Sequence, residues 1–303
     1  MKVAIVGTGA VARYLVDELL SQKHDIVAIS RSRKAWLDDL SIEQHEVQHT
    51  VAGITPALEG CDAVICTVSS SAPELVQIHE SLLEACKSSP TCKRFIPSIW
   101  VGNFEDVPDQ PYYGAGSIQK IYNMLAGQQT IEWTLLSVGW LIDYVIPTSQ
   151  RYLPDDEGFW VQNPRNKTFK LYGNGTQTIS CTAARDAASA VIRLLETNSK
   201  WEAFTYVSGE QLRWIDLWQI IQGYDTEYRL VSKSLTESIR QLVESKDTMT
   251  TLVAVFDVMG HSEALCYPQE RVDRHRKKYF EGIRFRMVRE LIEDAKANPG
   301  TVV

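Results

Sequence analysis

The sequence of 303 residues contains no uninterrupted apolar run near the about 20 residues that a membrane-spanning helix needs. Its apolar start, KVAIVG, is too short for the apolar region of a secretory signal, and a glycine turn and charged residues follow it at once. From these two absences we expect a soluble protein of the cytoplasm that has no membrane partner.

Sequence patterns of disulfide and metal chemistry are also scarce. The six cysteines have no CxxC spacing and are too few for a disulfide scaffold, so we expect reduced packing residues. No two of the six histidines lie four residues apart on a predicted helix, and we expect no bound metal. No GxSxG sequence occurs, which argues against an α/β-hydrolase.

Basic residues are fewer than acidic ones, 31 against 38, so the formal net charge is -7. A protein that binds nucleic acid normally carries a basic face, so we expect a small-molecule substrate and no nucleic-acid partner. The locally basic run RVDRHRKKYFEGIRFRMVRE has interleaved apolar residues. That run therefore predicts a charged helical surface above a buried stripe.

Short β-branched runs alternate with amphipathic stretches through the first half of the chain. This βαβ rhythm predicts an α/β fold with a Rossmann-type doubly wound parallel sheet. The predicted strands are Val3 to Val6, Asp25 to Ser30, Glu46 to Val51, Ala63 to Val68, Arg94 to Ser98 and Trp133 to Val138. The predicted helices between them are Ala10 to Gln22, Glu74 to Lys87 and Ser117 to Gly127.

After Trp140 the rhythm changes, and the segment from Pro147 to Gly175 is rich in Pro, Asn, Asp, Gly and aromatic residues. We therefore predict a first domain over residues 1–148, which contains the parallel sheet, and a smaller C-terminal α/β substrate lobe over residues 149–303. The boundary is soft, because strands and helices of residues 175–210 could return to the first domain. The oligomeric state is left open between monomer and homodimer.

A glycine turn lies between the first predicted strand and the first predicted helix. The sequence Gly7-Thr8-Gly9-Ala10-Val11-Ala12 fits the GxGxx(G/A) pattern of dinucleotide-binding folds. Glycine permits a tight turn and a close approach to the pyrophosphate, and the helix N-terminus offers unpaired N–H groups to it. We expect all six residues to bind the cofactor.

The end of the second predicted strand selects the cofactor. NAD sites place an acidic residue there, whereas this chain has Arg31, Ser32 and Arg33, with no carboxylate before Asp38. Guanidinium groups bind a phosphate through charge-assisted hydrogen bonds. The cofactor is therefore predicted to be NADP(H), with Arg31 as the main contact of the 2′-phosphate.

The stretch CKRFIPSIWVGNFEDVP, followed by SIQKIYNMLAGQQTIEWTLLSVGWLIDYV, resembles the NmrA-like and isoflavone-reductase-like branch of the atypical short-chain dehydrogenases. In that branch an RFIPS strand, a helix lysine, a T-x-L-x-x-G strand and an aromatic-rich substrate loop follow in this order. ALEGCDAVICTVSS and ARDAASAVIRLL also match in order, so the resemblance covers residues 1–210 well and the rest loosely. Val68 and Ser69, in the first of these segments, complete the candidate cofactor-binding residues.

The resemblance implies an NADPH-dependent reductase of fungal secondary-metabolism type that passes hydride to a planar, often phenolic or conjugated, substrate. It also implies that the helix lysine, here Lys120, contacts the nicotinamide ribose and assists proton transfer. Ser98 and Tyr113 are secondary catalytic candidates. Because dinucleotide binding alone does not name a reaction, the substrate is not identified.

The chain departs from the family pattern at two positions. Gly116 stands four residues before Lys120, where the Tyr-x-x-x-Lys pair of short-chain dehydrogenases has its tyrosine, and Ile99 replaces an acidic residue found in many relatives. Two alternatives therefore stay open. One is an acid–base rearrangement that uses bound NADP⁺ without net redox, and the other is a non-catalytic NADP(H) sensor that meets a protein partner.

Substrate contacts are expected just beyond the sixth predicted strand, because ligands bind at the carboxyl ends of strands in open α/β sheets. Aromatic side chains are frequent there and suit a flat conjugated ligand, although large aromatics are equally common in cores. The candidate substrate-binding residues are Trp100, Trp140, Asp143, Tyr144 and Trp160.

Overall fold

The computed structural model describes residues 1–70, 72–109, 115–155 and 158–303. Its centre is a parallel sheet of six strands in the order β3-β2-β1-β4-β5-β6. The strands are β1 Lys2–Val6, β2 Asp25–Ser30, β3 Glu43–Glu46, β4 Ala63–Cys66, β5 Arg94–Ile96 and β6 Glu132–Trp133. This is the Rossmann order, which reverses direction between β1 and β4 and opens a ligand crevice there.

Alternate residues of β1 face two different cores, which explains its continuous apolar sequence. Val3 and Ile5 pack on one side of the sheet, and Ala4 and Val6 pack on the other. Helices α1 Ala10–Ser21 and α5 Ala184–Glu196 cover the first side. Helices α2 Val51–Ala57, α3 Ala72–Ser88 and α4 Ala115–Ala126 cover the second. The predicted doubly wound sheet is therefore confirmed.

The predicted strand from Glu46 to Val51 is wrong. Strand β3 ends at Glu46, and helix α2 begins at Val51. The side chain of Thr50 caps this helix by accepting a hydrogen bond from the Gly53 amide. The N-cap threonine was the sequence signal that the strand prediction overlooked.

Besides α5, three small sheets and five helices follow the large sheet in the described part of the chain. Strand β7 Leu135–Ser137 pairs in parallel with β12 Phe204–Tyr206. The other two sheets are β13-β11-β8 and β14-β10-β9, with strands β8 Trp140–Leu141, β9 Gln162–Asn163, β10 Thr168–Tyr172, β11 Thr178–Thr182, β13 Glu210–Arg213 and β14 Arg229–Lys233. The helices are α6 Trp214–Tyr224, α7 Leu235–Glu244, α8 Thr248–Gly260, α9 Gln269–Tyr279 and α10 Val288–Ala297.

A second hydrophobic core holds these later elements together. It is built from aromatic residues such as Trp140, Trp160 and Trp214 and from the apolar faces of α6, α8 and α10. The division of the chain at residue 148 stays a prediction. None of the helices in the described part of the chain combines the length and apolar character that a bilayer crossing demands.

Candidate active site

The glycine turn after β1 has two glycines with different physical roles. Gly7 has φ +93°, and a Cβ added to it would lie 2.9 Å from the Thr67 carbonyl carbon and from the Val68 nitrogen. The fold itself therefore requires glycine at position 7. Gly9 has φ -82°, and a Cβ added there would meet nothing within 4 Å. Position 9 borders open space, which leaves room for a ligand to approach the backbone.

The N-terminus of α1 offers unpaired donors to that space. Gly9 is its N-cap residue and provides no side-chain cap, and the first turn carries no acidic residue. The neighbouring Thr8 is buried, and its hydroxyl has no hydrogen-bond partner among the described residues. Free amides, a positive helix end and an unused hydroxyl suit a diphosphate, so the turn fits the predicted dinucleotide.

Thr67 and Val68 follow β4 and brace the turn from the other side of the crevice. The Thr67 hydroxyl donates to the Gly7 carbonyl oxygen at 2.7 Å. Strands β1 and β4 are neighbours, so their carboxyl ends meet at this point. Ser69, one residue farther along, is exposed and lines the cavity described below. The predicted residues Val68 and Ser69 thus lie beside the glycine turn.

The basic residues after β2 point in two directions. A guanidinium nitrogen of Arg31 lies 3.4 Å from a carboxylate oxygen of Glu74 on α3. Arg33 instead pairs with Asp38 at 2.7 Å, and the Lys34 ammonium donates to the Ser32 hydroxyl at 3.0 Å. These groups are exposed, so their pairs are weak. Arg31 alone among the three cations leans towards the helix that follows β4.

A cavity of about 390 Å³ opens beside the glycine turn. Val11 of α1 and Ser69 contribute to its wall, so the cavity and the turn adjoin. Four of the five predicted substrate residues line it, namely Trp100, Trp140, Tyr144 and Trp160. The remaining lining residues are Val101, Val138, Gly139, Leu141, Leu153, Phe159, Met249, Leu252 and Phe256. Among the described residues, the wall contains no acidic or basic side chain, and six of its fifteen residues are aromatic.

Two indole N–H groups in this wall are unpaired. The Nε1 atoms of Trp140 and Trp160 are buried and have no hydrogen-bond partner among the described residues. The two rings lie 5.3 Å apart, and Trp160 also stacks on Tyr144 at 5.5 Å. A buried donor without a partner costs about 1–3 kcal/mol. A ligand that carries a hydrogen-bond acceptor would remove part of this cost.

Asp143, the fifth predicted substrate residue, does not line the cavity. It is fully buried, and one of its carboxylate oxygens accepts the Ala184 amide at 2.7 Å, at the start of α5. Burial raises the pKa of Asp143 to about 6. The neighbouring Tyr144 faces the cavity, and Asp143 lies on the other side of the short 3-10 helix Ile142–Val145, where it caps α5.

The predicted catalytic residues are not gathered around the cavity. Lys120 is exposed on α4, does not line the cavity, and forms no hydrogen bond or ion pair with the described residues. Ile118, Ile121 and Leu125 are buried against the sheet, so helical geometry places Lys120 on the opposite side of α4. Tyr113 lies outside the described residues.

Ser98 is held by its backbone next to α3. Its amide donates to Nε2 of His79 at 2.9 Å, and Nδ1 of His79 lies 2.7 Å from the Leu75 carbonyl oxygen. With one ring nitrogen accepting and the other donating, the imidazole is neutral. Burial lowers the pKa of His79 to about 4. His79 therefore positions the segment that leads from Ser98 to Trp100.

Sequence reasoning missed the part of the cavity wall that comes from later in the chain. Leu153, Phe159 and three residues of α8 complete the wall, and α8 carries only a general apolar pattern.

The sequence His45-Glu46-Val47-Gln48-His49 has the HExxH spacing of zinc peptidases. It spans the end of β3 and the loop after it, so the two histidines do not share a helix face. No group of three metal-ligating side chains occurs in residues 1–70, 72–109, 115–155 and 158–303.

Comparisons with known proteins give a family match, two relatives and a similar fold. The model of an NAD(P)H-binding family matches residues 7–165, a span that contains every predicted cofactor and substrate residue. Two fungal proteins named oxidoreductase swnR, from Arthroderma benhamiae and Metarhizium robertsii, are each 31% identical to this chain over 100% of both lengths. A leucoanthocyanidin reductase–NADPH complex from Vitis vinifera has a TM-score of 0.77 at 15% identity, covering 98% of this chain and 100% of that one.

Proposed function

Because this chain belongs to the NAD(P)H-binding, isoflavone-reductase-like family of oxidoreductases, we propose that it reduces a flat aromatic or polycyclic small molecule with NADPH. The observation that carries the proposal is the junction of two sites. A cavity lined by aromatic and aliphatic side chains adjoins a glycine turn whose amides are free for a diphosphate, and Val11 and Ser69 border both. A substrate in the cavity would therefore lie beside the cofactor.

In this proposal, the residues of the glycine turn and of the segment after β2 bind different phosphates of the cofactor. Gly9, the free amides of α1 and the Thr8 hydroxyl bind the diphosphate, and Arg31 binds the 2′-phosphate. When bound, NADPH supplies a hydride from its nicotinamide ring. Gly7 and Val68 have a different role in this proposal, which is to set the shape of the turn. Arg33, which pairs with Asp38, contributes less than Arg31.

The substrate side supports a planar ligand with a hydrogen-bond acceptor. Trp100, Trp140, Tyr144 and Trp160 provide flat surfaces, and the unpaired indole N–H groups suit a carbonyl or ether oxygen. Within the described part of the chain, the wall offers no carboxylate or ammonium group to hold a strongly charged substrate. Closure of an apolar wall around the substrate also excludes water from the reacting atoms.

Lys120 is the proposed proton donor. Lys120 lies on α4, the helix that follows β5 in the chain. A helix that follows a parallel strand begins near the carboxyl end of that strand. At five residues from the start of α4, Lys120 lies about 7.5 Å along the helix axis. Among the described residues its ammonium group has no ion-pair partner, so it can bind a ligand group that extends over the exposed face of α4.

The test combines binding and turnover. Calorimetry should show NADPH binding more tightly than NADH, and a panel of quinones, enones and flat aromatic ketones should include a compound that the protein reduces with loss of NADPH absorbance. Lys120→Ala should lower kcat with little effect on NADPH affinity, with Lys277→Ala, at an exposed position of α9, as the control. Product formed without loss of NADPH would overturn the redox assignment in favour of a rearrangement.

A further inference from the structure

The carboxylate nearest to the proposed 2′-phosphate contact comes from α3 and not from the end of β2. Glu74 lies in the first turn of α3, and its Oε1 is 3.4 Å from Nη1 of Arg31. Its other oxygen, Oε2, accepts a hydrogen bond from the Ser70 hydroxyl. One carboxylate therefore contacts both the guanidinium group and the segment that follows β4.

Two features surround this pair. Glu74 lies in the first turn of α3, where the positive end of the helix attracts a carboxylate. The half-buried imidazole of His49 lies near Arg31 and Glu74, and its Nε2 has no hydrogen-bond partner among the described residues. Burial, and then the charge of Arg31, lower the pKa of His49, so its ring is neutral at pH 7 and does not offset the carboxylate.

We propose that Glu74 is a specificity-determining residue that weakens the preference for NADPH over NADH. Without nucleotide, the Glu74 carboxylate forms an ion pair with the guanidinium group of Arg31. When a 2′-phosphate binds to the same guanidinium group, the carboxylate and the phosphate repel each other. This inference rests on the proposed function, in which Arg31 holds the 2′-phosphate. The same carboxylate can accept a hydrogen bond from a free ribose hydroxyl, as acidic residues do in NAD sites.

The size of the effect follows from Coulomb's law at an exposed site. At a separation of about 4 Å in water, the repulsion between two unit charges weakens binding about fivefold, and the 2′-phosphate carries nearly two charges. Removing the charge of Glu74 should therefore tighten NADPH binding by about tenfold. NADH binding should stay within twofold of wild type or become weaker, because NADH has no phosphate to repel.

The experiment is a charge series measured by calorimetry at low ionic strength. Dissociation constants for NADPH and NADH are compared in wild type, Glu74→Gln and Glu74→Lys. The matched control is Glu80→Gln, which removes the same charge from an exposed position of α3. The NADPH preference should rise from wild type to Glu74→Gln and again to Glu74→Lys, and it should not change in Glu80→Gln. Thermal unfolding confirms that each variant is folded.

Failure of the inference and failure of the proposed function give different results. If NADPH preference in Glu74→Gln and Glu74→Lys stays within twofold of wild type, or if Glu80→Gln raises it equally, the role of Glu74 is overturned. If Arg31→Ala leaves NADPH affinity unchanged, the proposed phosphate site is overturned instead. A wild type without NADPH preference, together with a strong preference in Glu74→Gln, would support the inference and contradict only the assumed cofactor of the wild type.

Discussion

The two sides of the candidate active site are built in different ways. The cofactor side is a contiguous turn, residues 7–12, in which backbone amides, backbone dihedral angles and small residues provide the fit. The substrate side is assembled from side chains that range from Val11 to Phe256 and belong to two hydrophobic cores. Short-range backbone geometry leaves a sequence pattern, whereas a wall assembled from distant segments depends on the tertiary fold.

The largest expected effect separates the two glycines of the turn. Gly7→Ala should lower the free energy of unfolding by about 3 kcal/mol or more, because the new Cβ meets backbone atoms at 2.9 Å and φ is positive. Gly9→Ala should leave stability nearly unchanged but weaken NADPH binding more than tenfold, because its Cβ occupies the space assigned to the diphosphate. Urea unfolding and calorimetry measure the two effects, and equal destabilisation by both changes would contradict the distinction.

The next largest effect is the loss of stability at acid pH, for which one buried histidine in each half of the chain can be compared. The pKa of His79 lies near 4, below the value of about 6.5 in an unfolded chain, so the unfolded state binds more protons between these pH values. The stability due to neutral His79 is complete above pH 6.5, and about 3 kcal/mol of it is lost as the pH falls through 4. His79→Gln should flatten that slope in denaturant titrations.

The counterpart in the second half, His275, should contribute a smaller part of the acid sensitivity. Its Nδ1 accepts the Tyr206 amide at 2.9 Å, and its Nε2 lies 3.1 Å from a carboxylate oxygen of Glu202. Burial lowers the pKa of His275, but the Glu202 carboxylate opposes this shift by favouring the imidazolium ion. If His275→Gln flattened the slope more than His79→Gln, this ranking of the two halves would be wrong.

On the cofactor side, a smaller effect distinguishes two arginines two residues apart. Arg31→Ala should weaken NADPH binding by about 2 kcal/mol, the scale of a charge-assisted hydrogen bond, and leave NADH binding unchanged. Arg33→Ala should change NADPH binding less than twofold, because Arg33 points towards Asp38 and not, as Arg31 does, towards the helix that follows β4. Calorimetry on both variants is the measurement, and equal losses would show that the charge of the segment, not its geometry, binds the phosphate.

The smallest effect tests the substrate side. Trp160→Phe removes an unpaired buried N–H group, so the free energy of unfolding should stay the same or rise by up to about 1 kcal/mol, while KM rises several-fold. Trp214→Phe is the matched control, because its indole donates to the Gly260 carbonyl oxygen at 2.9 Å and its loss should destabilise the protein. An unchanged KM in Trp160→Phe would argue against an acceptor at this indole.

The glycine turn, the parallel sheet and the family were predictable from the sequence because each leaves a local or ordered signal. Strand β2 has the predicted bounds, and α1 and α3 differ from theirs by one or two residues. Four of the five predicted substrate residues do line one cavity. The family resemblance is confirmed by the match over residues 7–165 and by the fungal relatives.

What could not be predicted depends on which side chains the fold turns inward. Asp143 and Tyr144 are neighbours in sequence, yet one caps α5 and the other faces the cavity. Similarly, the carboxylate that contacts Arg31 comes from Glu74, 43 residues later in the chain. No local pattern encodes such a contact, because it depends on how the fold brings the first turn of α3 to the segment that follows β2. The roles of Lys120, Ser98 and Tyr113 stay predictions.

The pairing of β12 with β7 has a consequence for anyone who wishes to shorten this protein. Residues 204–206 satisfy the backbone of residues 135–137, so the first half of the chain depends on a strand from the second half. A fragment that ends at residue 148 would expose an open strand edge next to apolar side chains. Such edges recruit other chains, and we expect that fragment to form insoluble aggregates when expressed alone.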